Sequence, residues 1–113
     1  MYEIHKVIEI SGAHWLTVPY ESKCSNLHGH NWLCTIVCRV NDGELNESGM
    51  VIDFAHVSQI VKQFDHKCLN DFLTQPTAEL FAKYLCDLIP YCVRVEIEET
   101  RGNKVIYERS DKN

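Results

Sequence analysis

Apolar and polar residues alternate from residue 2 to residue 14, with Tyr2, Ile4, Ile8 and Ile10 on one side and Glu3, His5, Glu9 and Ser11 on the other. A period of two is the signature of a half-buried β-strand. Residues 15–29 break the pattern with Pro19, Gly29 and many polar side chains, and read as a long loop. Strand chemistry returns over 30–40, where Trp32, Cys34, Ile36, Cys38 and Val40 share a face, and Asn41-Asp42-Gly43 supplies the turn that ends it. The period then changes. Phe54, Val57, Ile60, Val61 and Phe64 recur at helical spacing behind Asp53, which suits an N-cap. A second helix is predicted with Pro76 in its first turn and Glu79 near its positive end. Its stripe is Leu80, Phe81, Tyr84, Leu85, Leu88 and Ile89, and Pro90 stops it. Val93, Val95 and Ile97 alternate with Arg94, Glu96 and Glu98, and a turn at Arg101-Gly102-Asn103 leads to a last strand over 104–109. The order ββααββ predicts an α+β fold, a four-stranded antiparallel sheet with both helices on one face.

A chain of 113 residues, 45% hydrophobic and 24% charged, has material for one core, so a single domain over 1–113 is expected. The net charge of −5 and the lack of any Lys/Arg run argue against nucleic acid as a partner. The opening Met1-Tyr2-Glu3-Ile4-His5-Lys6 lacks the basic patch and apolar run of an export signal. No apolar stretch approaches the ~18 residues of a membrane span. The expectation is a cytoplasmic protein, not membrane-bound, whose six cysteines are mostly reduced. Cys34, Cys38, Cys68, Cys86 and Cys92 lie in apolar or periodic segments and read as small hydrophobes.

The densest chemistry is Cys24-Ser25-Asn26-Leu27-His28-Gly29-His30-Asn31. In extended backbone His28 and His30 point the same way, on the face that carries Trp32, Cys34 and Ile36. His14 continues the apolar face of the first strand, and antiparallel pairing of the first two strands would set it beside them. Three converging imidazoles suit Zn(II) with a fourth position open, and the competing reading is three unrelated loop-end histidines. Cys24, with Lys23 adjacent, is either an activated thiol for nucleophilic or proton-transfer work or a loop cysteine without a role. Asp65-His66 offers an acid/base pair, but consecutive side chains usually point apart, and alone the segment reads rather as a helix C-terminus with a favourable cation. Glu99 is next on the Val93/Val95/Ile97 face, where a carboxylate can accept two parallel N–H bonds from an amidine-like ring edge.

These residues carry a resemblance. Ser11-Gly12-Ala13-His14, Lys23 to Asn31, Val51-Ile52-Asp53-Phe54, Asp65-His66-Lys67-Cys68-Leu69-Asn70, Pro76-Thr77-Ala78-Glu79 and Glu99-Thr100 occur in the order of the 6-pyruvoyltetrahydropterin synthase family. The chain resembles most its bacterial 6-carboxy-5,6,7,8-tetrahydropterin synthase branch, in which three residues also separate the cysteine from the first histidine of the pair. The resemblance implies a tunnelling fold whose subunits close into oligomeric barrels with active sites between them. It implies zinc on His14, His28 and His30, catalysis by Cys24, Asp65 and His66, and a pterin ring held by Glu99 with Thr77 and Glu79 nearby. The implied reaction converts 7,8-dihydroneopterin triphosphate to 6-carboxytetrahydropterin, acetaldehyde and triphosphate in queuosine biosynthesis. The alternatives are triphosphate elimination to a pyruvoyl product, or a non-catalytic pterin- or metal-binding homologue. Ser11-Gly12-Ala13-His14 departs from the family's usual aromatic-x-Ala-Ala-His, and Lys23, Lys67 and Arg101 are the candidates for triphosphate contacts.

Overall fold

The computed structural model describes residues 1–110, so 111–113 of the expected domain lie outside the described residues. Strand β1 (Tyr2–His14) pairs antiparallel with β2 (His28–Val40) along its whole length, from Tyr2↔Val40 to His14↔His28. The second strand thus begins two residues before the expected start, because Gly29 pairs with Ala13 instead of ending the loop. Helix α1 (Phe54–Lys62) starts where Asp53 accepts the Ala55 N–H at 2.8 Å, and it buries Val57 and Val61. Phe64 is buried just past its end, whereas Phe54 stays exposed.

The sheet has five strands and is mixed, which corrects the expected four-stranded antiparallel arrangement. A two-residue strand β3 (Lys67–Cys68) runs parallel to Gly12–Ala13 on the outer edge of β1. Two residues are too short to leave a periodic trace. What makes the strand is a turn: His66 takes φ 60 and donates its backbone N–H to Ser11 O at 2.6 Å, which lays the chain against β1.

Helix α2 (Ala78–Leu88) begins later than expected. Thr77 caps it, accepting the Leu80 N–H at 3.1 Å, and Pro76 lies outside. Its buried face is Ala78, Phe81, Ala82, Leu85 and Cys86, with Ile89 just beyond; Leu80 and Leu88 are exposed. The two alanines and the cysteine, which carry little hydrophobic weight in a sequence pattern, let the helix sit close to the sheet.

Strand β4 (Cys92–Thr100) pairs with β2, and β5 (Asn103–Glu108) pairs with β4, giving the order β3-β1-β2-β4-β5. Two register shifts alter the expected phase. One puts Cys92 opposite Cys38 and displaces Val93 from the core; the other falls between Glu98 and Thr100 and leaves Glu99 as an extra residue. The core lies between the helices and one sheet face, with Trp32, Ile36, Val57, Val61, Phe64, Phe81, Leu85, Val95 and Ile97 fully buried. Among the described residues no helix is long and apolar enough to cross a membrane.

Candidate metal centre and catalytic groups

The last residue of β1 and the first of β2 face each other across the ladder, so His14 meets His28, with His30 one pleat further on. One nitrogen from each of the three rings lies within 4.8 Å of the others. Two backbone carbonyls orient the rings. His14 Nδ1–H donates to Pro76 O at 2.7 Å, and His28 Nδ1–H donates to Asn26 O at 2.7 Å. Each bond fixes the tautomer and leaves Nε2 as a free lone pair.

The Nε2 atoms of His14 and His30 are buried with no hydrogen-bond partner. A buried polar atom without a partner is costly, and convergence of such atoms is what a metal ion would relieve. Burial pushes the imidazoles of His14 and His30 below their ordinary pKa, against the opposing charge of Glu99, which favours the neutral form that ligates metal. The donor set therefore fits a three-histidine centre. Trp32 forms its wall: the indole is wholly buried, edge-on to His14 and His30 at 4.9 and 5.3 Å, and donates Nε1–H to Gly12 O at 3.0 Å.

The register shift in β4 gives Glu99 its position. As an extra residue on the bulged strand, it is turned toward β2, with Oε1 3.5 Å from His30 Nε2. Bulges re-aim side chains in this way. Glu99 also lines a cleft of about 370 Å³ with Glu79 and Lys104. The Thr77 hydroxyl accepts the Leu80 N–H in the α2 cap, and its hydrogen stays available to donate.

Asp65 and His66, whose pairing the sequence leaves open, are paired. Asp65 Oδ2 is 3.1 Å from His66 Nδ1, while Oδ1 accepts the Ser11 N–H at 2.8 Å. The Ser11 N–H and then the His66 ring hold the Asp65 carboxyl below the usual carboxylate range. The left-handed backbone at His66 explains the pairing, and costs roughly 1–2 kcal/mol in a non-glycine residue. The His66 ring projects largely into solvent, on the rim of a cleft of about 540 Å³ that is also lined by Ser11, Ala13 and Asn31. By strand alternation the side chains of these last three point away from the three histidines, while His30 of the cluster lines the same cleft.

Cys24 sits in a 3₁₀ turn, Lys23–Ser25, capped by Ser22, and is exposed. The other thiols are buried or half-buried, and burial pushes that of Cys34 up to about 12. Within one chain the fold brings together His14, His28, His30 and Glu99, with Glu79 sharing a cleft with Glu99. It couples Asp65 to His66, and among the described residues no side-chain hydrogen bond or ion pair joins Cys24 to either group. The carbonyls of Asn26 and Pro76 had no sequence signal, since every residue has one. Trp32 could have been read as a site residue only from its place two after His30.

Residues 3–110 match the family model described as 6-pyruvoyl tetrahydropterin synthase. The chain is 30% identical to the 6-carboxy-5,6,7,8-tetrahydropterin synthase of Bacillus subtilis, over 94% of this chain and 84% of that one. It is 42% identical over 67 residues to a Pyrococcus horikoshii protein provisionally given the same name. That stretch is 59% of this chain and spans only 41% of the relative's length. The solved structure of Caenorhabditis elegans 6-pyruvoyl tetrahydropterin synthase has a TM-score of 0.72 at 28% identity, with 96% of both chains covered.

Proposed function

The chain belongs to the 6-pyruvoyl tetrahydropterin synthase family, whose tunnelling fold it shares, and from that premise we propose that it is a cytoplasmic, zinc-dependent carbon–carbon lyase. Its substrate is 7,8-dihydroneopterin triphosphate, which with water gives 6-carboxy-5,6,7,8-tetrahydropterin, acetaldehyde and triphosphate, a step of queuosine biosynthesis. The carboxy branch is supported by the name of the Bacillus subtilis relative and by the three residues between Cys24 and His28.

The observation that carries the reading is Glu99 beside the histidine cluster. A pterin has two N–H donors side by side on its pyrimidine edge, and one carboxylate accepts both. Anchored there, a pterin is held beside His14, His28 and His30. Zn(II) on their Nε2 atoms would supply Lewis acidity to the side-chain oxygens, easing loss of the neighbouring protons. Glu79 and the Thr77 hydroxyl flank the ring. Cys24 takes and returns a proton at the side-chain carbons. The Asp65 carboxylate keeps the His66 Nδ1–H turned toward itself, leaving Nε2 to exchange protons with substrate. Lys23 and Lys67 supply positive charge for the triphosphate.

The test is to mix zinc-loaded protein with 7,8-dihydroneopterin triphosphate and measure acetaldehyde and the mass of the pterin product. Acetaldehyde in equal amount to a carboxylated pterin is expected. Triphosphate release with a pyruvoyl pterin and no acetaldehyde would move the chain to the other branch, which the Caenorhabditis elegans neighbour keeps in view. No turnover by folded, metal-loaded protein would leave a pterin- or metal-binding homologue.

A further inference from the structure

Beyond β3 the ladder on β1 is continued by side chains. Asn70 Oδ1 accepts the Trp15 N–H and its Nδ2 donates to Trp15 O, both at 2.9 Å. Two residues on, Gln75 Oε1 accepts the Thr17 N–H at 2.9 Å and its Nε2 donates to Thr17 O at 2.7 Å. Each amide thus satisfies both backbone groups of one residue, with the period of two that a strand partner would show. Between these rungs, Leu16 turns its N–H the other way, to Cys24 O at 2.8 Å. Beside the first rung, Pro76 O, next to Gln75, holds His14 Nδ1. A thiol of Cys68 donates to Asn70 Oδ1 at 3.8 Å and braces that amide.

We propose that Asn70 and Gln75 are positioning residues: their side-chain amides act as two rungs that set the backbone of residues 15–17, and through it place His14 at the metal centre and the Cys24 turn relative to that centre. The proposal rests on the functional reading above. A backbone segment whose only task was to cross the surface would be satisfied by water. Here each amide gives one donor and one acceptor to the stretch that links a metal ligand to the catalytic thiol.

The experiment compares Asn70→Ala and Gln75→Ala with Asn70→Asp and Gln75→Glu. The acidic variants still accept the backbone N–H but lose the donor to the carbonyl. A Trp15→Phe background leaves Trp32 as the emitter beside the histidines, and the rungs use only the backbone of residue 15. Co(II) is titrated by quenching of Trp32, its visible absorption reports coordination geometry, and thermal unfolding checks the fold. Asn70→Ala is expected to weaken Co(II) binding about ten- to a hundredfold, the range for loss of outer-shell support, and to change the Co(II) absorption. Gln75→Ala, nearer the Cys24 side, is expected to lower kcat more than Co(II) affinity, with KM little changed because Glu99 is not on the strap. Asn70→Asp should recover part of the loss. Should the alanine variants fail to fold, the acidic pair decides. Wild-type Co(II) affinity, spectrum and kcat in every folded variant would overturn the proposal. A protein that binds Co(II) but turns over no pterin would remove the functional reading, and the Co(II) measurements would still judge the strap.

Discussion

A Cβ at position 12 would lie 3.1 Å from the indole Nε1 of Trp32 and 3.4 Å from its Cδ1. Whether an alanine is tolerated there depends on whether the indole can give way by a few tenths of an ångström. It is poorly placed to do so: it is wholly buried, bonded to Gly12 O, and ringed by His14, His30 and Phe81. The departure from the family's alanine at this position is thus matched by the volume of Trp32. Gly12→Ala is expected to destabilise by about 1–3 kcal/mol, the usual cost of overpacking, and to weaken metal binding by moving the wall of the site. The smaller ring of Trp32→Phe makes room, so Gly12→Ala in that background should cost much less. Urea unfolding of the four proteins of this cycle measures the coupling, and additive effects would refute it. The same residues show what sequence alone could convey. His14, His28 and His30 were legible because strand phase and antiparallel pairing are enough to bring them together. The Asp65–His66 pair was not, since it depends on one left-handed residue, and Glu99 was put on the right side for an incomplete reason, because a bulge aims it.

At the scale of elements, the alternating strands and the Asp53 cap followed from periodicity and short-range hydrogen bonding, both local properties. What escaped was decided between elements. The two shifts on β4 depend on its partners, β3 exists only as an addition to β1, and the face α2 buries is set by how close the sheet allows it to come. On the polar face of the sheet, too, cross-strand neighbours matter. Glu96 is 15% exposed and lies between Lys104 and Arg94, each 2.5 Å away. The Lys104 ammonium and then the Arg94 guanidinium hold its carboxyl below the usual range. A depressed folded-state pKa contributes stability above the unfolded value of about 4.3, lost as pH falls through the folded-state value. Glu96→Gln should therefore lower the urea midpoint at neutral pH, and the gap from wild type should close as the solution is acidified below that range. A gap that persists unchanged at acid pH would show that the carboxylate's charge is not what Glu96 contributes.

The whole molecule leaves its sheet unfinished. β3 covers only Gly12–Ala13 of the outer edge of β1, and β5 forms the other edge. Across the face away from the helices, Val7, Thr35, Glu96 and Ile106 make one row, and its two apolar ends are 56% and 54% exposed. Open edges of this kind invite another chain. In the oligomeric barrel that the family resemblance implies, joining β1 of one copy to β5 of the next would continue the row and cover both ends. It would also explain why no hydrogen bond or ion pair joins Cys24 to the Asp65–His66 pair among the described residues, and why the His66 ring is left 81% exposed on the rim of its cleft. On this proposal each active site takes its thiol from one subunit and its histidine from a neighbour. Cys24→Ala and His66→Ala should each abolish turnover as pure proteins. Dissociated, mixed in equal amounts and reassembled, they should regain about a quarter of wild-type activity, because a random closed ring gives that share of interfaces both intact groups. If each site were built within one chain, no mixed assembly would contain a complete one, and activity would stay at the level of the separate variants. Subunit exchange confirmed by mass spectrometry, with no recovered turnover, would therefore reject the shared site.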